Sequence, residues 1–430
     1  MVRFITDDAS IDVAKTRYLK RRKWLMNQCN GPIVLSSPTV GPNQTYPWAH
    51  CDAPVYQDSY LLYLTGINQY PLHVVLNPLT EQHHIFLPPY NAKHVFWEGH
   101  TIAANHSESE LFLKECGFTH IHDISKFRSF IGDLISKNPN WHLLIHEHKR
   151  KRINDESYRL IRSLKRRSLK PPLITNIADL SWQQRAQHDQ LSLATLKTGI
   201  EKTAAAYNQV LLNRKTFTSE TSLCGALKGA LLSQTPFGLS FSPIVARNQN
   251  AAILHYVDCC DAVSKNDLIL LDFGLRWQSM CTDISRTITL SGKLTPLQKM
   301  LVDIVKNVQE HVISLVKPGT TFDALNDACW NYMELLLERD FLAKGGTFKR
   351  DYSKQPHNVG HLLGIQTHDG DPFRTYRSNA LKPGAVITIE PGLYGQFEYN
   401  GDRIHCGIRI EDNILVTPSG CENLSINIPK

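Results

Sequence analysis

With 430 residues, 42% of them apolar and 20% charged, the chain is too rich in core-forming residues to be disordered and too long for one hydrophobic core, so two domains are expected. No run reaches the roughly 18 to 20 apolar residues of a membrane span, and Met1–Asp8 lacks the plan of a signal peptide, which predicts a cytoplasmic protein with no membrane partner. The net charge of +7 lies wholly in the first part, where 23 Lys and Arg face 16 Asp and Glu up to Arg185, against 24 and 24 beyond it. The runs Lys20-Arg21-Arg22-Lys23, Lys149-Arg150-Lys151-Arg152 and Lys165-Arg166-Arg167 carry no interleaved aromatics, so they read as a solvated basic surface with no nucleic-acid partner. Ten cysteines without a Cys-x-x-Cys pair read as reduced, mostly buried residues.

In chain order, a basic helix is expected from Ile11 to Asn27. Short apolar strands follow at Pro32–Leu35, Leu72–Leu76, His84–Leu87 and Leu143–Ile145, with helical segments between them, the alternation of an α/β domain. The proline-broken Lys170-Pro171-Pro172-Leu173 puts a boundary between roughly 170 and 188, giving domains over residues 1–178 and 179–430. A helical tract is expected from Ser181 to Leu212. Beyond it, Asp267–Gly274 reads as a buried strand with Asp283–Leu290 as its antiparallel partner. Helices are expected at Leu297–Val316 and Phe322–Glu338, then strands at Ala385–Glu390 and Gly407–Glu411.

Folding the first of these strand pairs symmetrically about Trp277 and Gln278 sets Asp272 directly opposite Asp283, with Cβ atoms about 5 Å apart. Two facing carboxylates repel, and a bound cation relieves both the repulsion and the cost of burial. A bulge that leaves both as loop-end residues is the plainer alternative. Glu390 closes an apolar strand and is followed by Pro391-Gly392. Glu411 shares a strand face with Arg409, which could equally serve as its neutralising partner. His357, His361 and His368 lie in a segment punctuated by Gly360 and Gly364, which points to tight backbone at a site. Four carboxylates and a histidine suit hard or borderline divalent cations: manganese first, with cobalt, zinc or iron as alternatives.

This order of residues resembles the pita-bread metallopeptidases, and within them the aminopeptidase P and prolidase branch. The resemblance rests on Asp272 and Asp283 eleven apart, His361 in His-x-x-Gly-His, Glu390 in Thr-Ile-Glu-Pro-Gly and Glu411 in Gly-Ile-Arg-Ile-Glu-Asp. Leu254-His255-Tyr256, Asp283-Ile284-Ser285-Arg286-Thr287, Leu393-Tyr394 and Glu422-Asn423-Leu424 extend it. In the first half, Tyr60–Gly66 and Phe96-Trp97-Glu98-Gly99 resemble the amino-terminal domain of aminopeptidase P, with a departure at Leu87-Pro88-Pro89-Tyr90.

The resemblance implies a creatinase-like α/β amino-terminal domain followed by a pita-bread (α+β) catalytic domain that holds two divalent metal ions. It implies that Asp283 and Glu411 are shared by both metals, that Asp272 completes one site, and that His361 and Glu390 complete the other. Glu390, His255 and His368 become the catalytic residues. His255, His357, His368, Tyr394 and Arg409 become substrate contacts, with Arg409 also steadying a ligand. The implied activity is hydrolysis of the bond between an N-terminal residue and a following proline by a homo-oligomer, dimer or tetramer. A prolidase limited to Xaa-Pro dipeptides and a catalytically inactive binding protein on the same scaffold are the alternatives.

Overall fold

A computed structural model describes residues 11–37, 57–135, 137–143, 156–167, 173–352, 354–370 and 374–430. The basic run Lys149–Arg152, the Pro171-Pro172 break and the Leu144-Ile145 part of one expected strand lie outside the described residues. The chain forms two compact units, one running up to Arg185 and the other covering Ala186–Gly370 and Arg374–Lys430.

The first unit holds a six-stranded mixed sheet. Its strands are β1 (Ile33–Ser36), β2 (His73–Asn77), β3 (Gln82–Leu87), β4 (His120–Asp123), β5 (Asn140–Leu143) and β6 (Leu173–Asn176), in the order β4-β3-β2-β1-β5-β6. The apolar runs at 33–35, 72–76 and 84–87 form central strands because both faces are covered. One face packs Val34, Val75, Phe86, Trp141 and Leu143 against Phe127, Ile131 and Ile135 of the Phe127–Ile135 helix and Leu160 and Leu164 of the Glu156–Arg167 helix. The first helix runs Ile11–Met26, and its Arg22 is fully buried.

The second unit begins differently from the sequence expectation. The tract expected to run unbroken from Ser181 to Leu212 is two helices, Ile177–Arg185 and Gln190–Leu212, because the Asp189 side chain accepts from Ser192 N and starts a new helix there. Its strands are antiparallel. β7 (Ile244–Arg247), β8 (Ile269–Phe273) and β11 (Ile284–Ile288) form one sheet, extended at the turn by the short β9 (Arg276–Trp277) and β10 (Met280–Cys281). β12 (Thr347–Arg350), β14 (Gly392–Tyr399) and β15 (Asp402–Arg409) form a second, and β13 (Val386–Ile389), β16 (Asp412–Val416) and β17 (Cys421–Asn423) a third.

Two amphipathic helices cover these sheets. Pro296–Ser314 buries Leu297, Leu301, Ile304, Val305, Val308 and Val312, and Phe322–Leu336 buries Phe322, Leu325, Cys329, Met333 and Leu336, the three-to-four spacing of one apolar stripe. No helix among the described residues is long and apolar enough to cross a membrane. The nine described cysteines are free thiols.

Candidate metal centre

The β8–β11 hairpin corrects the expected register. Asp272 pairs with Ser285 rather than Asp283, and Trp277 pairs with Met280, so the turn is Gln278-Ser279 with Gln278 at φ 50°. The shift is an even number of residues, so it preserves the face. Asp283 therefore becomes the diagonal neighbour of Asp272 on the same surface, one residue before β11 begins.

Glu390 and Glu411 also sit differently from the strand positions expected of them. β13 belongs to the third sheet and β14 to the second, and Glu390-Pro391 is the crossing between them. β15 returns to β16 through Ile410-Glu411, the reverse crossing between the same two sheets. Both glutamates thus stand where the ladder is interrupted and a side chain is free to turn inward. The fully buried Gln309 of the Pro296–Ser314 helix spans the two crossings. Its Nε2 donates to the carbonyls of Ile389 and Ile410, each at 3.1 Å. Arg286, from the Asp-x-x-Arg-Thr segment, donates to the Glu411 carbonyl at 2.6 Å and pairs with Asp412 at 2.7 Å, both side chains fully buried.

His361 is held by a two-way bond with Thr388, whose N donates to the His361 carbonyl at 2.9 Å while its hydroxyl accepts from His361 N at 3.1 Å. This approach explains the preceding glycine, since a Cβ at Gly360 would lie 1.9 Å from the Thr388 carbonyl oxygen. Nδ1 of His361 lies 3.0 Å from the Leu362 carbonyl, which only accepts, so Nδ1 carries the proton. Nε2 is left with a free lone pair facing Asp283 Oδ2 at 3.5 Å and Glu390 Oε1 at 3.6 Å.

Donor atoms of Asp283, His361 and Glu411 all lie within 4.8 Å of one another. Arg409 donates from Nη2 to Asp272 Oδ2 at 2.7 Å, so it neutralises Asp272 and not Glu411. Ser285 takes a hydrogen bond from Arg409 Nε at 3.0 Å and gives one to Glu411 Oε2 at 2.9 Å. Two buried carboxylate oxygens remain without a protein partner, Asp272 Oδ1 and Glu411 Oε1. Burial, and then the neighbouring carboxylates, raise the pKa of Asp283 and Glu411 well above the usual range, and burial takes Glu390 up to about 7. So many anions in low dielectric with bare oxygens fit a divalent metal, whose charge restores the ionised forms.

These groups open on a cavity of about 710 Å³ whose walls include Asp272, Asp283, His361, Glu390 and Glu411 together with His255, His357, His368 and Arg409. Tyr394 is not on that wall. It stands behind it, its hydroxyl 2.9 Å from His357 Nε2 and 3.2 Å from Arg409 Nη1. His357 Nδ1 lies 2.8 Å from the Asn358 carbonyl, and burial pushes its pKa down to about 4, so the ring is a neutral wall. The His368 ring lies 4.2 Å from that of His361 and is held below the ordinary histidine value by desolvation and by His361. Ser285, Gln309 and Thr388 were not singled out by sequence. Only Ser285 carried a signal, as the residue opposite Asp272 once the turn is placed correctly.

A family model for metallopeptidase family M24 matches residues 194–418, which includes every one of these wall residues. The chain belongs to metallopeptidase family M24. A second model, the aminopeptidase P N-terminal domain, matches residues 18–144.

This M24 chain is 28% identical over 421 residues to the Arabidopsis thaliana protein named intermediate cleaving peptidase 55, mitochondrial, covering 96% of this chain and 80% of that one. It is 34% identical over 266 residues to Xaa-Pro aminopeptidase 2 of Streptomyces coelicolor, covering 57% of this chain and 55% of the relative, so it spans about half of that protein's length. Among solved structures, Escherichia coli aminopeptidase P with the inhibitor Pro-Leu superimposes at a TM-score of 0.79 and 22% identity, over 97% of this chain and 96% of that one. The fold is therefore the two-domain aminopeptidase P fold, an α/β amino-terminal domain and an α+β pita-bread domain. Membership in a metallopeptidase family accords with divalent metal at the buried Asp283, His361 and Glu411 group.

Proposed function

We propose that this chain is an Xaa-Pro aminopeptidase that works with two divalent cations, manganese first among them. The observation that carries the reading is the convergence of Asp272, Asp283, His361, Glu390 and Glu411 on one cavity that His255, His357 and His368 also line. The names of the relatives supply the substrate class. Asp272, Asp283, His361, Glu390 and Glu411 would hold the cations.

Divalent metal held there would supply Lewis acidity, enough to make a water nucleophilic near neutral pH. The residues of the chain do the rest. Glu390, at the edge of the ligand set, receives the proton that the water gives up. Arg409 keeps Asp272 aimed through the bond from its Nη2 to Oδ2. His255 and His368 face the scissile carbonyl and stabilise the charge that grows on its oxygen. His357, locked neutral between Asn358 and Tyr394, offers a rigid wall to the proline ring. A prolyl nitrogen has no N–H and its ring is stiff, so a pocket shaped to the ring selects it over other residues.

The test is hydrolysis by metal-loaded protein of Xaa-Pro-Xaa peptides, the same peptides with alanine second, and Xaa-Pro dipeptides, followed by mass spectrometry. Cleavage after Xaa only where proline follows is expected, with a penalty on alanine of several kcal/mol, about the size of an unfilled pocket plus an unpaired N–H. Equal rates on the alanine peptides refute proline selectivity, and cleavage of dipeptides alone makes the chain a prolidase. A cytoplasmic location and a homodimeric or homotetrameric assembly belong to the same proposal, the latter open to sedimentation analysis.

A further inference from the structure

Glu220 is a carboxylate with no exposed surface, and none of the chemistry above uses it. It is the first residue of the helix Glu220–Ser233, and its oxygens accept four hydrogen bonds. Oε1 receives Arg247 N at 2.7 Å and Asn250 Nδ2 at 3.0 Å, and Oε2 receives the Tyr256 hydroxyl at 2.7 Å and Asp261 N at 3.0 Å. The Glu220 amide also donates to the Asp261 carbonyl at 2.8 Å. All these partners belong to residues 247–261, the stretch that leaves β7 and carries His255 past the cavity.

That stretch has little regular structure of its own, a single short turn at Asn248–Ala252 and no strand before β8. Other supports are the Thr221 hydroxyl on the Cys259 carbonyl, the Tyr352 hydroxyl on the Ala252 carbonyl and the strand that presents Arg409. The Ala251 carbonyl oxygen approaches Gly407 so closely that a Cβ there would lie 2.1 Å away. Burying a carboxylate is costly unless donors surround it, and here the donors come from one segment, so the charge is accounted for by what it organises.

We propose that Glu220 is the positioning residue for the 247–261 segment, fixing Tyr256 from inside so that His255 stays on the cavity wall. The proposal rests on the proposed function only in assigning His255 to the charge that grows on the scissile carbonyl. The chemistry of the four partners makes it testable, because each donates to Glu220. Glutamine has the same shape but presents one oxygen and one NH2, so in either orientation the NH2 meets a backbone N–H, of Arg247 or of Asp261, which cannot reverse. Glu220→Asp keeps two accepting oxygens on a shorter arm.

The experiment compares full-length, metal-loaded wild type, Glu220→Gln, Glu220→Asp, His255→Ala and the Glu220→Gln/His255→Ala double variant. Steady-state kinetics on an Xaa-Pro-Xaa peptide, bound metal and hydrogen exchange are measured for each. The expected result for Glu220→Gln is a loss of roughly tenfold in kcat/KM, the size of hydrogen bonds to a charged group, carried mainly by kcat because His255 acts on charge that grows in the transition state. Bound metal should be unchanged and exchange faster only in the 247–261 segment. Aspartate should recover part of the loss. In the His255→Ala background the Glu220→Gln loss should vanish, which a general destabilisation would not produce. Equal losses in both backgrounds, or unchanged exchange at 247–261, overturn the proposal. Should Glu220→Gln not fold, Tyr256→Phe removes one of the four donors and is put through the same cycle, with the same two outcomes deciding. If wild type cleaves no Xaa-Pro peptide, the proposed function fails and hydrogen exchange alone still decides the positioning role.

Discussion

Arg409 and Asp272, 137 residues apart in sequence, are joined by a 2.7 Å bond from Nη2 to Oδ2. The same guanidinium also donates to Ser285 and Tyr394, so one planar cation aims three acceptors and leaves Asp272 Oδ1 without a hydrogen-bond partner. Lysine is a single point charge that cannot serve three partners at once. Arg409→Lys should therefore lower kcat/KM by about 10- to 100-fold, the usual cost of disturbing a ligand's support, and loosen metal on dialysis. Kinetics with elemental analysis checks this, and full metal retention at wild-type activity would show that Arg409 aims nothing.

Asp283, proposed above as a metal ligand, precedes β11 and faces the cavity, so it adds little to the packing of the strand. Asp283→Ala should abolish peptide hydrolysis, reduce bound metal, and leave the circular dichroism spectrum of the wild type. Turnover near wild type with both metals retained would remove Asp283 from the ligand set.

The His368 ring lies against that of His361, and of the two only His361 is in the proposed ligand set. His368→Ala should lower turnover by roughly two orders of magnitude, typical of lost acid or base assistance, with metal content unchanged. Loss of metal in this variant would make His368 a support of the site and not a participant in the reaction.

A pH effect is expected in the first unit. Desolvation and then Arg128 push His73 down to about 4, desolvation and then Arg22 push His83 to about 3, and desolvation and then His120 push His84 to about 4. Each is depressed below the ordinary value of 6.5. The unfolded chain then takes up protons that the folded unit refuses, so stability is full above about pH 6.5 and declines as the pH falls towards 4. Thermal melts at pH 7 and pH 5 should differ by several degrees. His73→Phe, which keeps the 4.0 Å stack on Phe127, should shrink the difference. Identical melts at the two pH values would contradict this.

Much of the site was legible in local sequence, and the errors have local causes. The apolar runs at 33–35 and 72–76 announce buried strands by composition alone. Asp272 and Asp283 were readable as same-face carboxylates, but their register was not, because a positive φ at Gln278 has no glycine or asparagine to mark it. By contrast, the β14–β15 hairpin did have its signal in Asn400-Gly401, both at positive φ between the paired Tyr399 and Asp402, and the expectation of a lone strand at 407–411 missed it. Ser285, Gln309 and Glu220 act on partners 27 to 126 residues away, contacts that no local pattern records.

Gln309 gives the two glutamates a shared mechanical fate. One amide grips the residue before Glu390 and the residue before Glu411, and the Lys430 side chain in turn donates to its oxygen while lying 2.9 Å from Asp412. The two backbones are thereby tied to each other and to one helix, so they cannot drift apart or together on their own. An ion of different radius must then be met by rotation of the carboxylates about their side-chain bonds. Crystals grown with manganese and with the smaller zinc should accordingly superimpose at the Cα atoms of Glu390 and Glu411 and differ only in where their oxygens point.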